Sequence, residues 1–457
     1  MIPTNGRHQQ RRPSWPVALG AGVVALALLV GIVIMAIKPG RLRGQVVAIP
    51  PAQPAPVLQE PPATESWPRW GFTHTEVSAD AEPDEVADAA SHILSRVPLL
   101  QNQHIMGWGA DNPEPVPGKY DFRNLDRRLE FMAGSQAVPI ITLCCAPDWM
   151  KEGGSEGRTD WGALEAPPQR ANFDDFAKLA ATVAKRYPTV KHFMVWNEFK
   201  GFWNPTTNRW DAEAYTELYN KVYTALKAVD DDIKVGGPYI PIVSNKGGGG
   251  SELQGDWGVV DQRDLDAVEY WIEHKKGADF IVIDGASMTK DAGLQPDEFA
   301  ALGKFSAVTT WLRQKSGGLP VWWAEWYVEP DNSDWTEERR TAVQTVAMME
   351  FATGGATTAL YWSPQRKAGE DCPGCLWRPG EGEELPMAGV LSGFTRWFPA
   401  ETPLVTVTSS DPKVRVLAQE RQLVMVNTTD ADVSATVDGR RFDLKPYEVR
   451  WSERSGA

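Results

Sequence analysis

Over residues 67–398, short runs of continuously apolar residues alternate with longer segments whose apolar positions recur at three- and four-residue spacing. Continuous runs suit strands buried on both faces, and the second pattern suits helices that bury one stripe, so the alternation predicts parallel βα units. Eight strands are predicted: "RWGFTHTEV" from Arg69, "PLLQNQHIMGW" from Pro98, "PIITLCC" from Pro139, "HFMVWNE" from His192, "KVGGPYI" from Lys234, "FIVIDG" from Phe280, "VWWAEW" from Val321 and "TALYWS" from Thr358. The helix after the third strand places Phe176, Leu179, Ala180 and Val183 on one face; the helix after the fourth does the same with Tyr215, Leu218, Tyr219 and Val222. Eight such units over roughly 330 residues point to a (β/α)8 barrel rather than an open doubly wound sheet, and the first strand lacks a Gly-rich phosphate turn.

The texture changes at residue 399. Short alternating runs, "LVTVTS", "KVRVLA", "RQLVMVN", "VSATV" and "YEVRW", predict a small all-β, sandwich-like domain over 399–457, too small to be comfortable alone and expected to pack on the barrel. At the other end, a tail of residues 1–16 precedes an uncharged apolar run, Val17 to Ile37. At about 1.5 Å per residue this run spans the roughly 30 Å hydrocarbon core, so one transmembrane helix is expected. It exceeds the usual signal-peptide core and lacks an adjacent small-residue cleavage site, which favours an uncleaved signal anchor over secretion after cleavage. Six prolines between Gly44 and Ser66 make residues 38–66 an extended spacer. The glycines at 247–250 fall in a long loop, 245–258, after the fifth strand, expected to be mobile.

A formal net charge of −14 argues against nucleic acid or anionic lipid as the partner of the folded part. The four cysteines make no disulfide framework: Cys144 and Cys145 end an apolar strand as packing residues, while Cys372 and Cys375 in "DCPGC" suit a local staple. The six histidines form no HExxH and no close cluster, so neither a metal nor an organic cofactor is expected, and no GxSxG elbow is present.

In a barrel, reactive side chains stand at the C-terminal strand ends. Glu198 falls at the end of the fourth strand and Glu325 at the end of the seventh. Two carboxyl groups on that rim can cleave a glycosidic bond, one protonating the leaving oxygen and the other attacking the anomeric carbon. The aromatic neighbours of Glu198 (Trp196, Phe199, Phe202 and Trp203) predict an apolar setting that favours its neutral, acid form. Trp149 and Trp362 offer indole faces to a sugar ring, Trp323 is expected in the core, and His74, His104 and Asp284 stand near strand ends where they could meet substrate hydroxyls.

The "WNE" of Trp196–Glu198, the "AEW" of Ala324–Trp326 and Trp362 in "LYWSP" resemble the retaining (β/α)8 glycoside hydrolases with catalytic glutamates on strands four and seven. "YDFRNLD" from Tyr120, "PIITLCCAPDW" and "VGGP" from Val235 are most similar to family 39, which holds β-xylosidases, α-L-iduronidases and exopolysaccharide hydrolases. The resemblance implies Glu198 as acid/base, Glu325 as nucleophile, Asn197 as partner of a sugar 2-hydroxyl and Trp362 as a platform. The sequence departs from the family at two strand ends: Gln103 and His104 stand where an Arg is common on strand two, and Asp284 where strand six carries His or Tyr. The expected enzyme is a membrane-anchored, extracytoplasmic glycosidase of a surface or extracellular polysaccharide or oligosaccharide. The competing expectation is an inactive barrel that binds glycan as an envelope adhesion or scaffold module.

Overall fold

The computed structural model describes residues 53–331, 333–362 and 364–454. The apolar run Val17–Ile37 lies outside them; among the described residues no helix is long and apolar enough to cross a membrane. Residues 53–66 of the spacer form neither helix nor strand, and they do not all stand clear of the barrel: Arg186 donates to the Pro54 carbonyl at 3.0 Å.

Eight parallel strands close into a barrel: β1 (Trp70–Thr73), β2 (Leu100–His104), β3 (Val138–Leu143), β4 (His192–Val195), β5 (Lys234–Pro241), β6 (Phe280–Ala286), β7 (Val321–Tyr327) and β8 (Thr358–Tyr361). β8 returns to β1 through the Trp70–Ala359 register, so no edge is left open. Each falls on a run predicted from the sequence, with β3, β5, β6 and β7 extending one residue beyond it. The surrounding helices are α1 (Asp84–Leu94), α2 (Arg123–Gly134), α3 (Phe173–Arg186), α4 (Ala212–Val229), α5 (Gln262–His274), α6 (Gly303–Lys315), α7 (Glu337–Gly354) and α8 (Pro386–Trp397). The stripes read on α3 and α4 are all buried, which is the apolar burial that clamps helices to strands. Packing is tight enough that a Cβ on Gly71 would sit 1.9 Å from the Leu100 carbonyl oxygen, so β1 accepts only glycine there.

Along β6, Phe280, Val282 and Asp284 alternate onto one face, and the barrel interior is filled in matching layers. At the N-terminal end Phe280 stacks on Trp322 at 3.8 Å and Trp67 covers Trp322 at 5.5 Å. Above lies a polar layer in which Asn102 donates to Thr73, Thr142 donates to Asn102, and Thr73 donates to the Ala324 carbonyl. Its hydrogen-bonding groups are satisfied internally, as burial requires.

Beyond α8 come β9 (Val414–Ala418), β10 (Gln422–Asn427), β11 (Val433–Val437), β12 (Arg440–Leu444) and β13 (Val449–Glu453). They form an antiparallel sheet, β9-β10-β13, and a hairpin, β11-β12. Two expectations change. "LVTVTS" makes only isolated bridges, at Leu404 and Ser409, because neither neighbour extends alongside it. β12 was missed, since "RRFDL" is too charged to read as a strand; its arginines and Asp443 face solvent. The loop after β5, expected to be mobile, carries short strands at 244–245, 254–255 and 258–260 that pair into a small sheet.

Phe394 of α8 is fully buried and meets Trp70 of β1 and Trp451 of β13 edge-on, at 5.1 and 5.4 Å. It therefore ties the C-terminal sheet to the barrel wall. Phe394→Ala is expected to lower unfolding free energy by about 3–5 kcal/mol in urea titrations, and a loss under about 1 kcal/mol would show that this junction carries no stability.

Candidate active site

Three carboxyl groups meet at the C-terminal mouth of the barrel. Glu198, Asp284 and Glu325 each place an oxygen within 4.8 Å of an oxygen of the other two. Register explains the convergence. Asp284 of β6 is the ladder partner of Glu325 of β7, after an irregularity between Ile283 and Asp284 that leaves Ala324 unpaired. Glu198 arrives from a turn beyond β4 in which Trp196, Glu198 and Phe199 all have positive φ, at 69°, 47° and 51°. Side-chain-bearing residues adopt that region only at a cost, and such strain collects at functional sites.

Glu325 is 3 % exposed and is held by two phenols. Tyr239 Oη donates to its Oε1 at 2.8 Å and Tyr327 Oη donates to its Oε2. Burial first, then the neighbouring Glu198, raise the Glu325 carboxyl above its ordinary range, while the two phenols work in the opposite direction. Sequence reading missed both tyrosines. Tyr327 had a usable signal, since residues i and i+2 of a strand share a face. Tyr239 had none: it is the residue skipped where the β5–β6 register shifts, and its φ is 53°.

The expected apolar setting of Glu198 is corrected. Lys200 Nζ lies 2.5 Å from Glu198 Oε2 and also binds Glu165, so the acid faces a cation. The aromatic neighbours point elsewhere: Trp196 packs edge-on against Phe176 and Phe202, and Phe199 stacks on Tyr215 at 4.1 Å. In a turn with alternating backbone hands, adjacency in sequence says little about adjacency in space.

Asn197 is buried beside Glu198, and its Oδ1 lies 3.4 Å from His104 Nε2. Burial drives His104 down to about 3, leaving a neutral ring that orients Asn197. His74 is not brought to the site: its Nδ1 pairs with Ser78 and its Nε2 with Gln101, leaving no ring nitrogen for a sugar. Gln103, standing where the family carries Arg, accepts from Arg128 of α2 at 2.5 Å. Trp362 is half-buried and meets Tyr327 edge-on at 6.4 Å, one residue removed from Glu325. Trp149 is half-buried on the loop after β3, its indole N–H bonded to the Glu114 carbonyl at 2.8 Å. Trp323 is core, as expected. Asp284 is fully buried, and neither of its oxygens receives a hydrogen bond from an N–H or O–H group among the described residues.

Cys144 and Cys145 differ from expectation: they are joined to each other as well as buried. Cys372 pairs with Cys375, the local staple expected. The three carboxylates have the spacing of a cation site, yet the Lys200 ammonium and the two phenols already occupy the approaches to Glu198 and Glu325, so these residues do not suit a resident metal.

Comparison with known proteins agrees with this architecture. The family profile of Glycosyl hydrolases family 39 matches residues 110–244. No curated protein sequence matches. Among crystal structures, a monomeric β-xylosidase from Caulobacter crescentus is similar at a TM-score of 0.53 and 17% identity, over 81% of this chain and 75% of that one. SrfJ from Salmonella typhimurium is similar at 0.57 and 12%, over 85% and 90%. The GH39 enzyme from Xanthomonas axonopodis pv. citri is similar at 0.51 and 16%, over 80% and 72%. At these identities the likeness shows the fold. Fold and profile together define a (β/α)8 glycoside hydrolase, an enzyme of O-glycosyl bonds. The resemblance to family 39 read from the sequence is the one that the profile finds.

The phenols favour the ionised form of Glu325. Tyr327→Phe is therefore expected to raise that carboxyl further and move the acid limb of the pH–activity profile up by about one pH unit. An unmoved limb would show that Tyr327 does not govern the charge of Glu325.

Proposed function

We propose that the chain is a retaining glycosidase in which Glu325 attacks the anomeric carbon and Glu198 serves as acid and then base. The observation that carries this reading is the close approach of the two glutamates, with oxygens within 4.8 Å. Retention needs carboxyl groups about 5–5.5 Å apart, whereas inversion needs about 6.5–9.5 Å to admit a water between them. The division of roles follows from the surroundings. Glu325, fixed by two phenols, is aimed and unable to swing, which suits attack on one carbon. Glu198 is more exposed, with 15% of its side chain open, which suits exchange of protons with a leaving group and with water.

In the first step, the Glu325 carboxylate bonds to the anomeric carbon as the leaving oxygen takes a proton from Glu198. In the second, Glu198 takes a proton from water, whose oxygen displaces Glu325. Asn197, held by His104, would grip the 2-hydroxyl, and Trp362 would lie under the sugar ring. Similar folds include β-xylosidases, so xylosides are reasonable first probes. For the natural substrate we propose a surface or extracellular polysaccharide, with the barrel outside the cytoplasm and held to the membrane by Val17–Ile37. That run of 21 uncharged residues is what supports the placement.

Glu198→Ala should slow turnover of alkyl glycosides by at least about a hundredfold, and of activated aryl glycosides far less, with azide restoring the latter. Equal losses on both substrate types, without azide rescue, would remove Glu198 as the acid.

A further inference from the structure

The retaining scheme uses two carboxyl groups, yet the barrel brings three together, and the third is the most deeply buried. Asp284 has no exposed surface and, among the described residues, no N–H or O–H donor on either oxygen. The groups that could have supplied one are engaged elsewhere. From the β4 turn, Lys200 binds Glu198 and Glu165. From β5 and β7, Tyr239 and Tyr327 both donate to Glu325. From α6, Lys304 is bonded to the Ile242 and Ala286 carbonyls and to Ser244 Oγ. A carboxylate left in that position would be an unpaired buried charge facing two others, an arrangement that proteins avoid by protonating it. A neutral carboxylic acid, by contrast, has a donor of its own, and a Glu198 oxygen lies within 4.8 Å as its acceptor.

We propose that Asp284 is the proton store of the reaction: a neutral acid hydrogen-bonded to the Glu198 carboxylate, which holds the proton that Glu198 delivers to the leaving oxygen. The proposal rests on the retaining reading. Asp284 has no exposed surface to offer a substrate, so it is a positioning residue that acts through Glu198. As Glu325 bonds to the anomeric carbon, the proton of Asp284 passes to Glu198 and from Glu198 to the leaving oxygen, whose bond to the anomeric carbon breaks and whose electron pair takes that proton. Glu325 is then an uncharged ester, while Glu198 and Asp284 are both anions beside Lys200. The net charge of the four groups is unchanged, because the charge that Glu325 loses appears on Asp284. When water attacks, its proton passes to Glu198 and back to Asp284, and the electron pair of the ester bond returns to Glu325. A buried site that keeps its charge constant avoids the large solvation changes that would otherwise oppose each step. Burial, then Glu198, drive the Asp284 carboxyl well above the usual range, in the direction that this arrangement requires.

The test compares the full chain with Asp284→Asn, which keeps the shape and a donor toward Glu198 but cannot release a proton. The alkaline limb of kcat/KM is expected to move down by about one pH unit or more, with at least about a tenfold loss on alkyl glycosides above neutral pH. An unmoved limb with full activity on alkyl glycosides would overturn the proposal. A second readout is independent of turnover. The infrared spectrum of the resting wild-type chain near neutral pH should contain a carbonyl stretch from a protonated buried carboxyl that is missing in Asp284→Asn. Identical spectra in that region would overturn the proposal even if the variant were inactive, whereas failure of the retaining reading would leave the infrared band in place.

Discussion

Three carboxyl groups are packed into the mouth of a barrel, and the ammonium that pairs with them there, Lys200, meets Glu198 alone of the three. Much of the local structure answers that constraint. Two phenols are aimed at Glu325, a register irregularity sets Asp284 beside it, and a turn with three left-handed residues brings Glu198 and Lys200 across from β4. Such convergence of acids is costly for folding, and it persists where chemistry needs carboxyl groups in different protonation states. The layers beneath, aromatic and then polar, give these groups a floor that does not yield, which is what holds reacting atoms in place.

The barrel was legible because its signals are redundant. Each strand is an apolar run bounded by turn residues, and α3 and α4 show a clear 3.6-residue stripe, so independent readings agree. Glu198 and Glu325 were legible for a related reason, as each interrupts such a run with a charge. The C-terminal strands read less well. "LVTVTS" has the alternation of a strand but no neighbour to pair with, and "RRFDL" has a neighbour but little alternation. Sheet membership depends on partners that a single segment does not reveal.

Within the site, what could not be read was side-chain direction. Tyr239 points at Glu325 because β5 skips a residue in its ladder with β6, and Lys200 reaches Glu198 because the turn between them reverses hand. Neither event has a compositional signature. The same holds for His74, whose place at a strand end suggested substrate contact although both ring nitrogens are consumed within the protein. Asp284 stands out in the sequence as a departure from the family, but its meaning emerges only from the lack of a donor to its oxygens among the described residues.

The central claim is that Glu325 forms a covalent bond to the sugar. Incubating the chain with 2-deoxy-2-fluoro glycosyl fluorides, xylosyl first and then a wider set of pentoses and hexoses, followed by intact mass and peptide mapping, tests it directly. The account predicts a single glycosyl adduct on Glu325. An adduct on another residue, or none with a glycone that the enzyme demonstrably turns over, would contradict it.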